Sequence, residues 1–163
     1  MAVKSKASVH YDAVIALPFC HLGVSVEAGA VIGCDYLAAD TDAFQPEHEL
    51  IDKVIEQLQA YSDNAQYVFD LNLKLEGTPF QRRVWKRLLK IPAGTVLTYG
   101  ELANQLSSSA RAVGNACRAN PLPLLVPCHR VVAASGLGGF AGASTGYLIS
   151  IKRQLLRHEG LEF

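Results

Sequence analysis

Hydrophobic and polar positions alternate with short periods in the first half of the chain. Three apolar runs, at 13–17, 22–26 and 30–36, are separated by turn-forming residues and predict a small antiparallel sheet. From Pro46 onward, apolar residues recur at helical spacing. Residues 68–75 alternate strictly between apolar and polar, which is typical of one more strand. The first half is therefore expected to be α+β.

Helix signals dominate the second half. Gly77 ends the alternation, and we place there the boundary between predicted domains 1–76 and 77–163. Thr78 and Thr98 each open a capping box, in which a threonine is followed three residues later by Gln or Glu. Ser109 is a good cap for a third helix, and Gly160 for the end of the last one. The predicted helices cover about 79–90, 99–106, 110–119 and 148–159.

The two middle helices of the second half are joined by a short polar turn. This is the outline of a helix-turn-helix, although many helical hairpins share it. Charge adds to the picture, because a formal net charge of zero hides a strong asymmetry. Residues 1–77 carry four Lys/Arg and twelve Asp/Glu (net −8), whereas residues 78–163 carry eleven and three (net +8). The second half is expected to meet a polyanion, with pairing between the two halves as the alternative.

The cysteine content and hydropathy indicate a cytoplasmic protein. The four cysteines fit neither a close-set metal motif nor a small disulfide scaffold, so reduced thiols are expected. A zinc set of Cys20, His21, Cys34 and His48 can be drawn but lacks closely spaced ligand pairs. No apolar run is long enough for a signal peptide or a membrane span. We therefore expect no metal site and no membrane partner.

Cys128 is the candidate nucleophile. It lies between Pro127 and His129 on an apolar stretch that is predicted to be extended, and the basic surroundings, Arg130 included, are expected to lower its pKa. Neighbouring residues of an extended chain point to opposite sides, so His129 would need a water, or a bend at Pro127, to reach the sulfur. Glu159 is the candidate carboxylate that orients His129. A buried structural cysteine beside a satisfied histidine remains the alternative.

Several motifs resemble, in the same order, those of the O6-alkylguanine-DNA alkyltransferases, also called methylated-DNA–protein-cysteine methyltransferases. The active-site motif matches Leu125 to Val132, and the likeness extends from Gly77 to Gly160. Before Gly77 it is weak. The other matching segments are Gly77-Thr78-Pro79-Phe80-Gln81, Thr98 to Ala103, Ala110 to Gly114, Asn120-Pro121 and Leu155 to Gly160.

The resemblance implies a fold and a reaction. The first domain would be a ribonuclease-H-like small sheet with a helix, and the second a mostly helical, winged-helix-like domain that contains the helix-turn-helix. The protein would be an enzyme that acts once. It would flip O6-alkylguanine, or O4-alkylthymine as a further substrate, out of double-stranded DNA and move the alkyl group irreversibly to Cys128. It would need no cofactor and would be a monomer in solution, with cooperative binding along DNA left open.

The same resemblance assigns roles to individual residues. Cys128 would accept the alkyl group, His129 would take its proton through a water, and Glu159 would hold His129. Tyr99 would crowd the 3′ phosphate and reach guanine N3, and Asn120 would be the hinge before the active-site segment. Arg111 would replace the flipped base in the stack. The remaining DNA contacts would come from Tyr99, Ala110, Ala112, Gly114, Arg118 and Arg130, and the substrate pocket from Val131, Phe140, Ala141, Gly142 and Ala143.

The loop after Phe140 departs from the family pattern. It is several residues longer, and Ala143 stands where the family commonly has a second glycine. The preference of the pocket for methyl or bulkier groups is therefore open. Two other functions remain as alternatives: a DNA-binding protein that does not react, which would lack the acceptor cysteine, and a cysteine hydrolase, which would need a direct contact between the Cys and His side chains.

Overall fold

The computed structural model describes residues 10–140 and 143–163. Contacts between Cα atoms divide the chain into two compact units, one that ends at Leu75 and one that runs from Glu76 to Phe163. The described residues form a mixed α/β structure with a small antiparallel sheet and five α-helices. Each unit has buried apolar side chains of its own.

The first unit contains the antiparallel sheet that the apolar runs predict. Strands β1 (Ala13–Ala16), β2 (His21–Glu27) and β3 (Ala30–Leu37) lie in the order β1-β2-β3. Helix α1 (Glu49–Asp63) begins three residues after Pro46, because the Nδ1 atom of His48 accepts the backbone N–H groups of Leu50 and Ile51 and caps the helix. That use of His48 differs from the zinc set drawn from the sequence, and no cluster of three potential metal ligands occurs within residues 10–140 and 143–163.

The strand predicted at 68–75 was wrong. Only a single bridge forms there, between Val31 and Leu73. The side chain of Gln57 takes the place of a neighbouring strand, since its amide oxygen accepts from the N–H of Asp70 and its amide nitrogen donates to the carbonyl of the same residue. The alternating pattern marks which side chains are less exposed, but a strand also requires an edge to pair with over several residues, and here β3 pairs with this segment only through Val31.

The second unit is mostly helical, as predicted. Its core includes the fully or almost fully buried side chains of Val84, Trp85, Leu102, Val113 and Leu155. Both predicted capping boxes are present, at Thr78 and at Thr98. The elements are α2 (Pro79–Leu88), β4 (Leu97–Thr98), α3 (Tyr99–Gln105), α4 (Ala110–Arg118), a 3-10 turn (Cys128–Arg130), β5 (Val131–Val132) and α5 (Tyr147–His158).

A short parallel pairing of β4 with β5 positions the functional residues. Leu97 pairs with Val131 and Thr98 with Val132. Tyr99 follows β4 directly, and the Cys128 turn directly precedes β5, so this pairing brings two distant parts of the sequence together. Among the helices in the described part of the chain, none is long and apolar enough to cross a membrane.

Candidate active site

Cys128 is held at the start of a tight turn rather than on an extended strand. The segment was predicted to be extended, but Cys128, His129 and Arg130 form one turn of 3-10 helix. The bend begins at Pro127, whose ψ angle is 66°, and the N–H of Arg130 donates to the carbonyl of Pro127 at 3.1 Å. Because proline has a fixed φ and no N–H, it suits the start of such a turn. Cys128 is buried, with 6% of its surface exposed.

Asn120 fixes the chain that leads to this turn. It is buried, its side-chain nitrogen donates to the carbonyl of Val126 at 2.9 Å, and its side-chain oxygen accepts the N–H of Leu122 at 3.0 Å. A further hydrogen bond from Asn120 to the Cys128 sulfur lowers the pKa of the thiol. The residue therefore acts both on the path of the backbone and on the reactive atom.

His129 and Glu159 form a buried pair, which is the contact that we expected from the sequence. The Nε2 atom of His129 lies 2.9 Å from Oε1 of Glu159, and both side chains are almost fully buried. Burial lowers the pKa of His129, although the bond to Glu159 opposes that shift. A neutral imidazole that donates Nε2–H to the carboxylate has its lone pair on Nδ1. Within the described residues, Nδ1 of His129 is buried and has no hydrogen-bond partner.

Arg130 has a different place from the one predicted. We expected it to contact DNA and to lower the pKa of Cys128. Instead, its guanidinium donates to both carboxylate oxygens of Glu159, at 2.8 to 3.2 Å, and to the carbonyl of Ile91, with only 12% of its side chain exposed. A guanidinium engaged in this way is not free to bind a phosphate. Arg130 holds Glu159 in position instead.

The carboxylate of Glu159 is ionised by its surroundings. Burial by itself would raise its pKa, but the hydrogen bonds and charges of His129 and Arg130 outweigh burial and hold the pKa well below the ordinary carboxyl range. The N–H of Gly94 also points to Oε2, at 3.5 Å. The pair with His129 is therefore held by a permanent negative charge.

A cavity of about 270 Å³ opens in front of Cys128. Tyr99, at the first position of α3, lies on its wall, and its hydroxyl donates to the carbonyl of Gly139 at 3.3 Å. Burial raises the pKa of Tyr99, so the phenol stays protonated and able to donate. The lining residues are Tyr99, Gly114, Cys117, Arg118, Cys128, Gly139, Phe140, Ala143 and Ser144. Six of these nine are among the site residues that the sequence predicts.

Lys152 connects two segments of the chain beside this cavity. It is completely buried on α5, and its Nζ donates to the carbonyl of Val131 at 2.7 Å and to that of Gly139 at 2.9 Å. The same nitrogen lies 5.9 Å from the ring centroids of both Tyr99 and Phe140. Burial lowers the pKa of Lys152 to about 8, and the nearby Cys128 and Cys117 oppose that shift.

The thiol of Cys128 is protonated at rest, contrary to the expectation of a lowered pKa. Burial raises its pKa, and the bond from Asn120 and the charge of Lys152 offset that effect only in part. The basic residues of the second half do not reverse it, because charges at the surface are screened by water. The sulfur thus needs a base to accept its proton when it reacts.

The other predicted residues lie outside the cavity or outside the described part of the chain. Arg111 and Ala110 are exposed at the start of α4, and Ala112 is half-buried on its first turn. Val131 is fully buried behind the cavity wall. Ala141 and Gly142 lie outside the described residues. Ser109 caps α4 by accepting the N–H of Ala112 at 3.1 Å, which fixes the start of the helix that carries Arg111.

Comparison with known proteins identifies the family. Residues 79–161 match the sequence model described as "6-O-methylguanine DNA methyltransferase, DNA binding domain". This chain belongs to the 6-O-methylguanine DNA methyltransferase family. A relative from Mycobacterium tuberculosis, named methylated-DNA–protein-cysteine methyltransferase, is 45% identical over 117 residues, which is 70% of this chain and 68% of the relative.

Solved structures of this methyltransferase family have the same fold. The crystal structure of the M. tuberculosis O6-methylguanine methyltransferase is similar to this chain with a TM-score of 0.75 and 37% identity, over 90% of each chain. The structure of the M. tuberculosis protein in complex with DNA has a TM-score of 0.73 and 36% identity, over 90% of this chain and 91% of that one. Because the first of these structures covers 90% of this chain, the similarity extends over both of its units.

Lys152, Cys117, Gly139 and Ser144 are parts of this methyltransferase site that the sequence did not single out. Lys152 carried a weak signal, because a lysine on the apolar side of the predicted last helix must be buried or paired. Cys117 falls on the buried face of α4, four residues before the turn of the chain at Pro121. Gly139 contributes only its carbonyl, which no residue pattern reveals.

Proposed function

We propose that this chain repairs alkylated DNA by moving the alkyl group from O6 of a guanine base to the sulfur of Cys128. One observation carries the proposal: a buried cysteine faces an open cavity, and the next residue is a histidine that a buried carboxylate holds with its other ring nitrogen unpartnered. Relatives named methylated-DNA–protein-cysteine methyltransferase support the reaction. The structure of a relative in complex with DNA supports DNA as the partner.

The chemistry requires a proton to leave the sulfur and another to reach the base. His129 is neutral and has its lone pair on Nδ1, so it takes the proton of Cys128 through one intervening water. The sulfur attacks the alkyl carbon, the C–S bond forms, and the bond from that carbon to O6 breaks. Burial raises the pKa of Tyr99, so its hydroxyl donates a hydrogen bond to guanine N3 as negative charge develops on the leaving base. The guanine anion then takes up a proton from water, and His129 releases to water the proton that it took from Cys128.

Asn120 and Lys152 favour the charged sulfur. Both lower the pKa of Cys128 against the effect of burial. Glu159 and Arg130 keep His129 oriented. Main-chain groups near Val131 read the edge of the base. The carbonyl of Val131 accepts one hydrogen bond from Lys152 and keeps a second lone pair for this purpose. No cofactor takes part, and because the thioether product is stable, each molecule reacts once.

The base must leave the duplex before it can enter the cavity. Arg111 lies exposed on α4 and fills the gap in the stack, while Ala110, Ala112 and Gly114 allow this helix to approach the backbone in the minor groove. Arg118, exposed on the last turn of α4 and on the rim of the cavity, binds a phosphate. Phe140 and Ala143 form the pocket for the alkyl group. O4-alkylthymine is a second substrate by the same chemistry.

Three further assignments complete the proposal. We regard 1–76 as a ribonuclease-H-like domain, which the sheet β1-β2-β3 followed by α1 supports. We regard 77–163 as a winged-helix-like domain with a helix-turn-helix in α3 and α4.

We place the protein in the cytoplasm, because its four cysteines are free, as the reducing conditions there require. The protein acts as a monomer. A cysteine hydrolase is not supported, since no hydrogen bond joins Cys128 to His129 among the described residues.

Peptide masses after reaction with a duplex that contains O6-methylguanine test this function. We expect one methyl group per molecule, on Cys128, and no second turnover. Cys128→Ala should bind the duplex and take up no methyl group. Cys117→Ala is the matched control, because Cys117 lines the same cavity, and it should still be methylated on Cys128. Methylation of the Cys128→Ala protein, or a methyl group on Cys117 in the unaltered protein, would contradict the proposal.

A further inference from the structure

The exposed side of α2 and of the turn after it is strongly basic. Its ten residues and the two that follow contain five basic residues and no acidic one, while Val84, Trp85 and Leu88 form the buried face. Trp85 fixes the orientation of the helix, because its indole N–H donates to the carbonyl of Ala116 on α4 at 2.8 Å. The basic residues are Arg82, Arg83, Lys86, Arg87 and Lys90.

Two of the five have partners that attach α2 to the end of α3. Arg83 donates to the carbonyl of Leu106 at 3.0 Å, and Arg87 donates to the side chain of Gln105 at 2.7 Å. The other three, Arg82, Lys86 and Lys90, are spaced four residues apart: Arg82 and Lys86 lie on one side of α2, and Lys90 continues their row in the turn two residues past its end. We call them the basic row. All three are exposed, and in the described part of the chain none of the three side chains makes a hydrogen bond or an ion pair.

No acidic residue of residues 78–163 offsets the basic row. Glu101 accepts the N–H of Thr98 in its capping box, Glu159 is buried against His129, and Glu162 lies 3.8 Å from Arg157. Helices α3 and α4, in contrast, carry only two basic residues and one acidic residue between them. Four of the seven exposed Lys and Arg residues of 78–163 therefore lie on α2 or in the turn after it, and only two lie on the pair of helices that the sequence assigns to DNA.

We propose that the basic row binds the phosphate backbone of DNA as a second contact, independent of base sequence and of the lesion. This inference rests on the proposed function, which makes DNA the partner. Residues four apart on a helix are about 6 Å apart along its axis, so the row is about 12 Å long. One DNA strand carries one charge per ~3.4 Å of axis, so a row of this length spans several phosphates. Arg83 and Arg87 attach the row firmly to α3, which lets both contacts act on one duplex.

Salt dependence of binding to an undamaged duplex tests the row. The full chain is titrated into a fluorescent duplex between about 50 and 200 mM salt, and the logarithm of the binding constant is plotted against that of the salt concentration. The variant Arg82→Gln/Lys86→Gln/Lys90→Gln should bind more weakly, with a slope smaller by up to about 2.7, since each phosphate contact contributes about 0.9. The charge-preserving variant Arg82→Lys/Lys86→Arg/Lys90→Arg should keep the slope. An unchanged slope in the glutamine variant would overturn the proposal.

Two further experiments distinguish this inference from its alternatives. Methyl transfer from free O6-methylguanine should be equal in the unaltered and glutamine proteins, because the row is not part of the cavity. If the unaltered protein transfers no methyl group from damaged DNA, the proposed function fails, while the slope still decides on the row. Poly-glutamate is the probe for an acidic protein partner. If the substitutions weaken binding to poly-glutamate but not to the duplex, the row binds acidic proteins and the assignment to DNA is wrong.

Discussion

Lys152 determines more of the active site than its position in the sequence suggests. A single buried ammonium group donates to the carbonyls of Val131 and Gly139, so it holds together the strand after the reactive turn and the loop that lines the cavity. Its positive charge also lowers the pKa of the Cys128 thiol. Burying an ammonium is costly unless it is hydrogen-bonded. The two carbonyls reduce that cost, and the charge remains available to the sulfur.

Replacement of Lys152 should raise the pKa of Cys128 and slow the reaction. In Lys152→Met the positive charge is lost, so a smaller fraction of the thiol ionises at neutral pH, and we expect transfer to be about tenfold slower, which corresponds to about 1.4 kcal/mol. The midpoint of thiol reactivity against pH, measured with iodoacetamide, should move to higher pH. The difference should narrow above about pH 8, where Lys152 itself loses its charge.

Lys152→Gln separates charge from position. Glutamine can still donate to one or both carbonyls but carries no charge. If charge is the cause, the glutamine and methionine variants show the same shift in the pH profile. A normal pH profile in the glutamine variant would instead assign Lys152 a purely structural role.

At the scale of helices and strands, the first residues of the helices determine where the functional side chains lie. Thr98 closes the capping box of α3 and is paired with Val132 across β4 and β5, so one residue sets both the start of the helix and its distance from the reactive turn. Tyr99 is the next residue and points its hydroxyl to Gly139. Thr78 closes an equivalent capping box at α2, which lies outside this pairing. The same local structure therefore has different consequences at the two positions.

Thr98→Ala and Thr78→Ala form a matched pair of variants. Each removes one side-chain acceptor for a backbone N–H, so each should lower the free energy of unfolding by about 1 kcal/mol in chemical denaturation. Single-turnover transfer from duplex DNA should be slower in Thr98→Ala alone, because only this change loosens the placement of Tyr99. Equal transfer rates in the two variants, at equal loss of stability, would show that the cap of α3 does not position Tyr99.

Opposite charges on the two halves dominate the behaviour of the whole molecule. The chain has a calculated isoelectric point near 7.0 although its halves carry −8 and +8. A molecule with no net charge has little overall repulsion from its copies, and oppositely charged regions of different copies attract. The positive half is also the half assigned to DNA, so a polyanion competes for the same surface.

Weak, reversible attraction between monomers should follow from this distribution of charge. At pH 7 and low ionic strength, light scattering should report attraction between molecules, and about 0.15 M salt should weaken it because the Debye length falls to about 8 Å. A short duplex should have the same effect by covering the positive half. Attraction that is unaffected by salt and by DNA would show that it does not arise from the charge asymmetry.

Much of the architecture follows from local patterns in the sequence. The three strands, the capping boxes at Thr78 and Thr98, the cap at Ser109 and the end of α5 near Gly160 depend on side chains that act within a few residues, and the structure confirms them. The ordered motifs around Cys128 likewise indicated the family. The predicted strand at 68–75 failed because an alternating pattern cannot show whether a partner edge exists, and here Gln57 occupies that place.

Only the tertiary structure decided the electrostatics of the site. The sequence placed Cys128, His129 and Arg130 side by side, but burial, which no local pattern measures, raises the pKa of the thiol. Arg130 turns from the surface to Glu159 because the 3-10 turn brings it there, and Lys152 reaches the cavity across the chain from α5. The residues proposed to carry out the reaction could therefore be predicted from the sequence. Their protonation and contacts depend on groups that are distant in sequence and meet only in the folded unit.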